Sequence, residues 1–216
     1  MRVNIRQIPS NENPQHMDID MHNSQPPLAF DPRDVVAVRE FRATQVPAFL
    51  STSDHLHHLL TTPANRHSPA EIEAALHRRQ ELVTRIARDD VRQTYLIGEP
   101  ALHELDGPQL ARILQRCVRR NVVVRVLPEH PQPYTNLAAL TMFSFADRPD
   151  WAFPQLPTAS AFVQQPAEVA MYSNIFDNLA THALSEIDSR AYVQTKLGEV
   201  STATHRDPDE LLRGAS

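Results

Sequence analysis

Two short apolar runs frame the middle of the chain. Residues 92–98 read RQTYLIG and residues 121–128 read NVVVRVLP, each rich in β-branched or aromatic side chains and bounded by polar or turn-forming positions. That is the composition of strands buried on both faces. Between them, PQLARILQRCVRR places Leu110, Ile113, Leu114, Cys117 and Val118 at helical spacing, which predicts an amphipathic helix with Cys117 facing the core. A strand, a helix and a second strand in this order make a right-handed crossover with the strands parallel. Both strands then end at one edge of the sheet, where Glu99 follows the first and Glu129 and His130 follow the second.

The flanking patterns supply the remaining elements. Val35–Phe41 has strand composition and leads through QVPAFL, with Pro47 in a short apolar turn, into a helix over Asp54–Leu60. Ser68, Pro69 and Glu71 form an N-cap, a first-turn proline and a capping box, and Ile72, Leu76, Val83 and Ile86 give the helix that follows an apolar face to about Ala87. Leu140–Phe145 and Ala161–Val163 read as further strands, separated by a loop that holds Trp151 and several prolines. Those prolines are expected to keep the loop out of a central sheet position. Val169, Tyr172, Phe176, Leu179 and Ala183 mark a helix over Glu168–Leu184, and Ser185 with Asp188 caps a last one to about Leu197.

Residues 1–32 are rich in Asn, Gln, Pro, Asp and His without periodicity, and residues 200–216 are polar. The expected organisation is a flexible arm over 1–32, a single α/β domain over 33–199 and a mobile tail over 200–216. Its sheet is mixed, contains the parallel β-α-β unit and is flanked by helices.

Composition narrows the class. A chain of 216 residues with 41% hydrophobic and 22% charged content suits one core. No apolar run approaches the ~20 residues of a spanning helix, and the polar start lacks the apolar core of a secretory signal, so no membrane partner and a cytoplasmic location are expected. The lone Cys117 fits a reducing compartment. A net charge of −5 speaks against direct contact with nucleic acid, whose phosphates require clustered cations. Arginine supplies nearly all the positive charge, with Lys196 the sole lysine, a bias that suits a high-GC bacterial genome.

Candidate chemistry is sparse. Gly98, Gly107, Gly198 and Gly214 form neither a phosphate-cradling loop nor a dinucleotide fingerprint, and no serine sits in a Gly-x-Ser-x-Gly elbow. No cofactor is expected. His55, His57 and His58 are the densest group of metal-ligand types, but two imidazoles on one helix side are not a site, and a solvated face accounts for them, so no metal is assigned. Glu99 stands where open α/β sheets build their sites, beside Glu129 and His130, and a carboxylate next to an imidazole can do acid–base work or hold a cation. Its competing reading is structural, a pair with an arginine or a cap of the short turn that follows. Arg78, Arg79 and Gln80 fall mid-helix, opposite the apolar stripe or at its border, where a guanidinium could grip a carboxylate or be an ordinary charged face. Tyr172 and Phe176, one turn apart, line a pocket or belong to the core.

Taken in order, QVPAFLSTSDHLHHLL, Arg79-Gln80, LIGEPAL, NVVVRVLP, LTMFSF and MYSNIFDNLATHALS resemble the C-terminal domain of actinobacterial Cro/repressor-type (XRE) helix-turn-helix regulators, a domain of unknown function also called antitoxin-like. The resemblance covers roughly residues 35 to 198. A family Val-Pro-Gly-Leu-Leu turn appears as Val46-Pro47-Ala48-Phe49-Leu50, the second half of an Arg-x-x-Arg-Gln motif as Arg79-Gln80, and a Glu-x-x-Leu motif as Glu99 with Leu102. A family glutamate late in the sheet is replaced here by Gln164 or Gln165. The arm before the domain has no helix-turn-helix pattern.

The resemblance implies a stand-alone regulatory or partner-binding domain that does not itself touch DNA, binding a protein partner or its own copy through Arg79, Glu99, Tyr172 and Phe176. The alternative, from a different class, is a small recruited enzyme of a specialised-metabolite pathway, catalysing a cyclisation, isomerisation or dehydration with Glu99 and His130 in a pocket. A ligand sensor for a small molecule, without turnover, shares that pocket.

Overall fold

The computed structural model describes residues 32–62, 68–129, 137–156 and 159–204. The expected arm before Pro32, the tail after Thr204 and His130 lie outside the described residues. Six strands form one mixed sheet in the order β3-β2-β1-β4-β5-β6. They are β1 (Val35–Arg42), β2 (Arg92–Gly98), β3 (Val122–Leu127), β4 (Ala139–Phe145), β5 (Trp151–Leu156) and β6 (Ala159–Ser160). The helices are α1 (Ser53–Leu60), α2 (Pro69–Ile86), α3 (Gly107–Cys117), α4 (Pro166–His182) and α5 (Glu186–Thr204).

The parallel unit stands as the sequence predicts. β2 and β3 run parallel with Gln93 opposite Val122 and Gly98 opposite Leu127, and α3 crosses between them. β1 extends the parallel half, with Ala37 opposite Arg92, and α2 makes its crossover to β2. The other half, β4 to β6, is antiparallel. β1 and β2 close tightly at their carboxyl ends: a Cβ on Gly98 would lie 2.0 Å from the Ala43 carbonyl oxygen. Glycine at 98 is thus demanded by backbone proximity and lets the two strands finish side by side.

Local chemistry explains the helix starts. Ser68 and Glu71 complete their capping box, with the Ser68 N–H donating to the Glu71 carboxylate at 2.7 Å. Thr52 accepts from the His55 N–H at 3.1 Å to start α1, and Asp106 accepts from the Gln109 N–H at 2.8 Å to start α3.

Helices cover both faces of the sheet. Leu82, Val83 and Ile86 of α2, Leu110 and Ile113 of α3 and Val193 of α5 share one core with Val38, Tyr95, Ile97, Val124 and Phe143. On the other face, Val169, Phe176 and Leu179 of α4 pack on Phe41, Leu96, Leu140 and Met142. The outer edge of β3 is covered by the link from α4 to α5. The Leu184 N–H donates to the Val126 carbonyl (2.8 Å), the Val126 N–H donates to Ser189 Oγ (2.9 Å), and Arg125 donates to the carbonyls of Leu184 (2.7 Å) and Ala183 (2.6 Å). These bonds occupy backbone groups that an open strand edge would leave unpaired.

Two expectations are corrected. The proline-bearing stretch after Asp150 is strand β5, paired antiparallel with β4, rather than a loop; β6 is Ala159–Ser160, and Val163 joins only through an isolated bridge to Ala152. Aromatic packing accounts for the strand. Trp151 meets Phe145 (4.9 Å between centroids) and Phe162 (5.1 Å), and Phe153 stacks on Phe162 (4.9 Å), contacts that outweigh the ladder donor lost at Pro154. The last helix also continues to Thr204, past Leu197 and into the stretch expected as tail. No described helix is long and apolar enough to cross a membrane.

Candidate functional site

Glu99 is the first residue past β2, at the start of a single helical turn, Glu99–Leu102. The parallel register brings the end of β3 beside it, and the Glu129 N–H donates to Glu99 Oε2 at 2.9 Å. The Tyr192 hydroxyl of α5 donates to Glu99 Oε1 at 2.8 Å. The Glu129 N–H, then the Tyr192 hydroxyl, hold the Glu99 carboxyl below its usual range. Burial, followed by the bond to Glu99, pushes the Tyr192 phenol up to about 12. At neutral pH the pair is therefore an ionised acceptor and a protonated donor. Lys196 lies over the Tyr192 ring at 5.8 Å and pairs with Glu199 at 3.0 Å, which adds charge of both signs to this rim.

A second polar group lies under the sheet face covered by α2 and α3. Arg79 is not at the border of the α2 stripe, as the sequence suggests, but in it, buried with Ile72, Ala75, Leu82, Val83 and Ile86. Its Nε donates to the Ala48 carbonyl at 2.9 Å and its Nη2 to the carbonyls of Ala48 and Ser51. Gln109 donates to the Leu50 carbonyl at 3.1 Å and accepts from the Thr52 N–H at 2.7 Å. Glu40 Oε1 accepts from the Ala48 N–H at 3.0 Å and from Arg42 Nε at 2.8 Å. Three buried side chains thus grip the backbone of the turn at 47–52, so Arg79 serves this turn and shares no partner with Glu99. Burial lowers Arg79 to about 10 against the opposing pull of Glu40, which leaves it charged at neutral pH.

A family model described as a domain of unknown function, DUF5753, matches residues 33–195, every strand of the sheet and helices α1 to α4 included. The chain belongs to this family. No curated protein and no solved structure matches it.

The other candidates of this DUF5753 domain lie elsewhere. Phe176 is buried in the core under α4, with the Arg39 guanidinium 5.3 Å from its ring centroid, and the half-buried Tyr172 packs against the same cluster. Both are on the sheet face opposite Arg79. His55 and His58 ride on α1, where burial lowers the His55 imidazole, and among the described residues no group of three or more metal-ligand types is arranged around an ion. The Cys117 thiol packs beside the core and is pushed up by burial, which makes a poor nucleophile of it.

Sequence reasoning missed Tyr192, Glu40, Arg42 and Arg116. The last three carried a signal, because each charged side chain interrupts a buried strand or the buried face of a helix.

Proposed function

We propose that this DUF5753 domain is a regulatory, partner-binding module related to the effector half of actinobacterial XRE-type regulators, acting through protein contact rather than on DNA. The carboxyl edge of β2 and β3, centred on Glu99, is its recognition surface. The observation that carries this reading is that both Glu99 oxygens are held by donors from other elements, the Glu129 N–H and the Tyr192 hydroxyl. A carboxylate fixed and ionised in this way is a poor proton donor and a well-oriented acceptor for a cationic or N–H group of a partner. That weighs against the recruited enzyme, which asks Glu99 to exchange protons.

Calorimetric titration of the purified chain with the proteins encoded by its adjoining genes tests the reading, with sedimentation to follow self-association. We expect a complex with a helix-turn-helix regulator, a small companion protein or a second copy, weakened at least tenfold by Glu99→Gln while circular dichroism stays that of the wild type. No complex and no self-association, or a Glu99→Gln variant that binds as the wild type does, overturns it.

A further inference from the structure

Among the described residues the large apolar side chains left exposed are Val36, Val118, Met171 and Ile187, and Ile187 is the barest, at 82%. Val118, at 61%, comes next, and the packing of α3 on α5 brings these two together. α3 runs from the carboxyl edge of the parallel strands back toward their amino edge. α5 runs the other way along β3, with Ser189 bonded to Val126 and Tyr192 to Glu99. A Cβ on Gly107 would stand 3.7 Å from Leu197 Cδ1, which fixes the pairing of the two helices at the start of α3. From Gly107 on to Val118 and from Leu197 back to Glu186 are equal steps at about 1.5 Å per residue, so Glu186 and Ile187 reach the level of Val118. The charges of Arg190 and Glu186 accordingly act on the thiol of Cys117, the neighbour of Val118. Half-buried Leu114, one turn before Val118, joins this apolar strip to the core.

The charges beside the strip say what covers it. Glu186 and Arg190 are exposed, and at about 100° per residue both project to the side of Ile187 on which Leu197 meets α3. Among the described residues neither forms an ion pair, with the other or with any third group. A second copy approaching with its α5 antiparallel sets Glu186 of each copy against the partner's Arg190, and a two-fold axis makes that pair twice. The same approach brings Ile187 beside the partner's Ile187 and takes both from water. Asp188 projects to the other side of α5, where Ser185 Oγ donates to it at 2.6 Å, and so stays away from its own copy. An apolar centre with one anion and one cation a helical turn apart is self-complementary, as a contact between identical subunits requires.

We propose that the outer seam of α3 and α5 is a homodimer interface, in which two copies pack antiparallel through Leu114, Val118 and Ile187 and pair Glu186 of each with the partner's Arg190. This seam is separate from the Glu99 carboxylate and does not depend on the role given to the rim.

Sedimentation equilibrium of the full chain over a range of concentrations tests it. A monomer–dimer equilibrium is expected, weakened at least tenfold by Ile187→Glu, whose exposed position leaves circular dichroism unchanged. Glu186→Arg and Arg190→Glu are each expected to weaken the dimer at least tenfold, because each sets two like-charge contacts across the two-fold, and the double variant is expected to restore it. The dimer is expected to persist in Glu99→Gln, which separates this contact from one made through the rim. A chain that stays monomeric up to its solubility limit, an Ile187→Glu variant that dimerises as the wild type does, or a double charge swap no better than either single variant overturns the proposal.

Discussion

The two faces of the sheet are built on different terms. Under α4, Phe41, Leu96, Leu140 and Met142 meet Val169, Phe176 and Leu179, and the charged contact of Arg39 with Asp177 (3.2 Å) and Ser173 (2.8 Å) lies at the margin. Under α2 and α3, the apolar set is interrupted by Glu40, Arg42, Gln93 and Tyr95 in the sheet and by Arg79, Gln109 and Arg116 above it. A dry face stabilises through area and shape alone. A polar interior contributes little net stability for each hydrogen bond and exacts a penalty for every bond left unmade. Apolar burial on both faces holds the fold, and the second face also fixes the turn at 47–52 and leaves Glu40 Oε2 and Arg116 Nε without a partner among the described residues.

Truncating the dry face should have the largest effect. Phe176→Ala is expected to cost about 3–5 kcal/mol, the range for opening a cavity at a fully buried aromatic, read from the denaturant midpoint. A loss under ~1 kcal/mol would mean that α4 is not a pillar of the fold. On the polar face, Arg116→Met removes a buried guanidinium with an orphan Nε and should change stability by no more than about 1 kcal/mol, in either direction, because an apolar replacement of similar volume relieves the desolvation penalty. A cost equal to that of Phe176→Ala would erase the contrast between the faces.

The rim should respond to pH with the smallest change in stability. Glu99 has its folded pKa below the unfolded one, so its contribution is present at neutral pH and lost as pH falls through the folded value. Tyr192 is the reverse: its contribution is complete below its unperturbed value of 10.0 and lost as pH rises through about 12. In Glu99→Gln the Tyr192 titration, followed by phenolate absorbance, should move part of the way from about 12 toward 10, since burial remains when the carboxylate is gone. An unmoved titration would show that Tyr192 does not rest on Glu99.

The parallel unit was legible because two uninterrupted apolar runs flank a capped helix, and the same holds for α2, whose Ser68 and Glu71 box formed as predicted. β5 was hidden by its prolines, since the aromatic contacts that stabilise it join residues on both sides of a turn. Glu99 could be placed on the rim from β2 alone. Its partner Tyr192 is 93 residues away in sequence and emerges only once α5 lies against β3. Arg79 carried the more instructive signal: its spacing from Ile72, Leu82 and Ile86 puts it in the stripe, and its charge suggested the surface.

With Val126 bonded to Leu184 and Ser189, and with Arg125 gripping the carbonyls of Ala183 and Leu184, β3 offers a peptide little to pair with over that stretch. Growth of the sheet by another chain is pushed to the opposite end, where β6 is only two residues long. Recognition by strand addition has little described backbone to use at either end, so the partner proposed above would have to read side chains and helix surfaces.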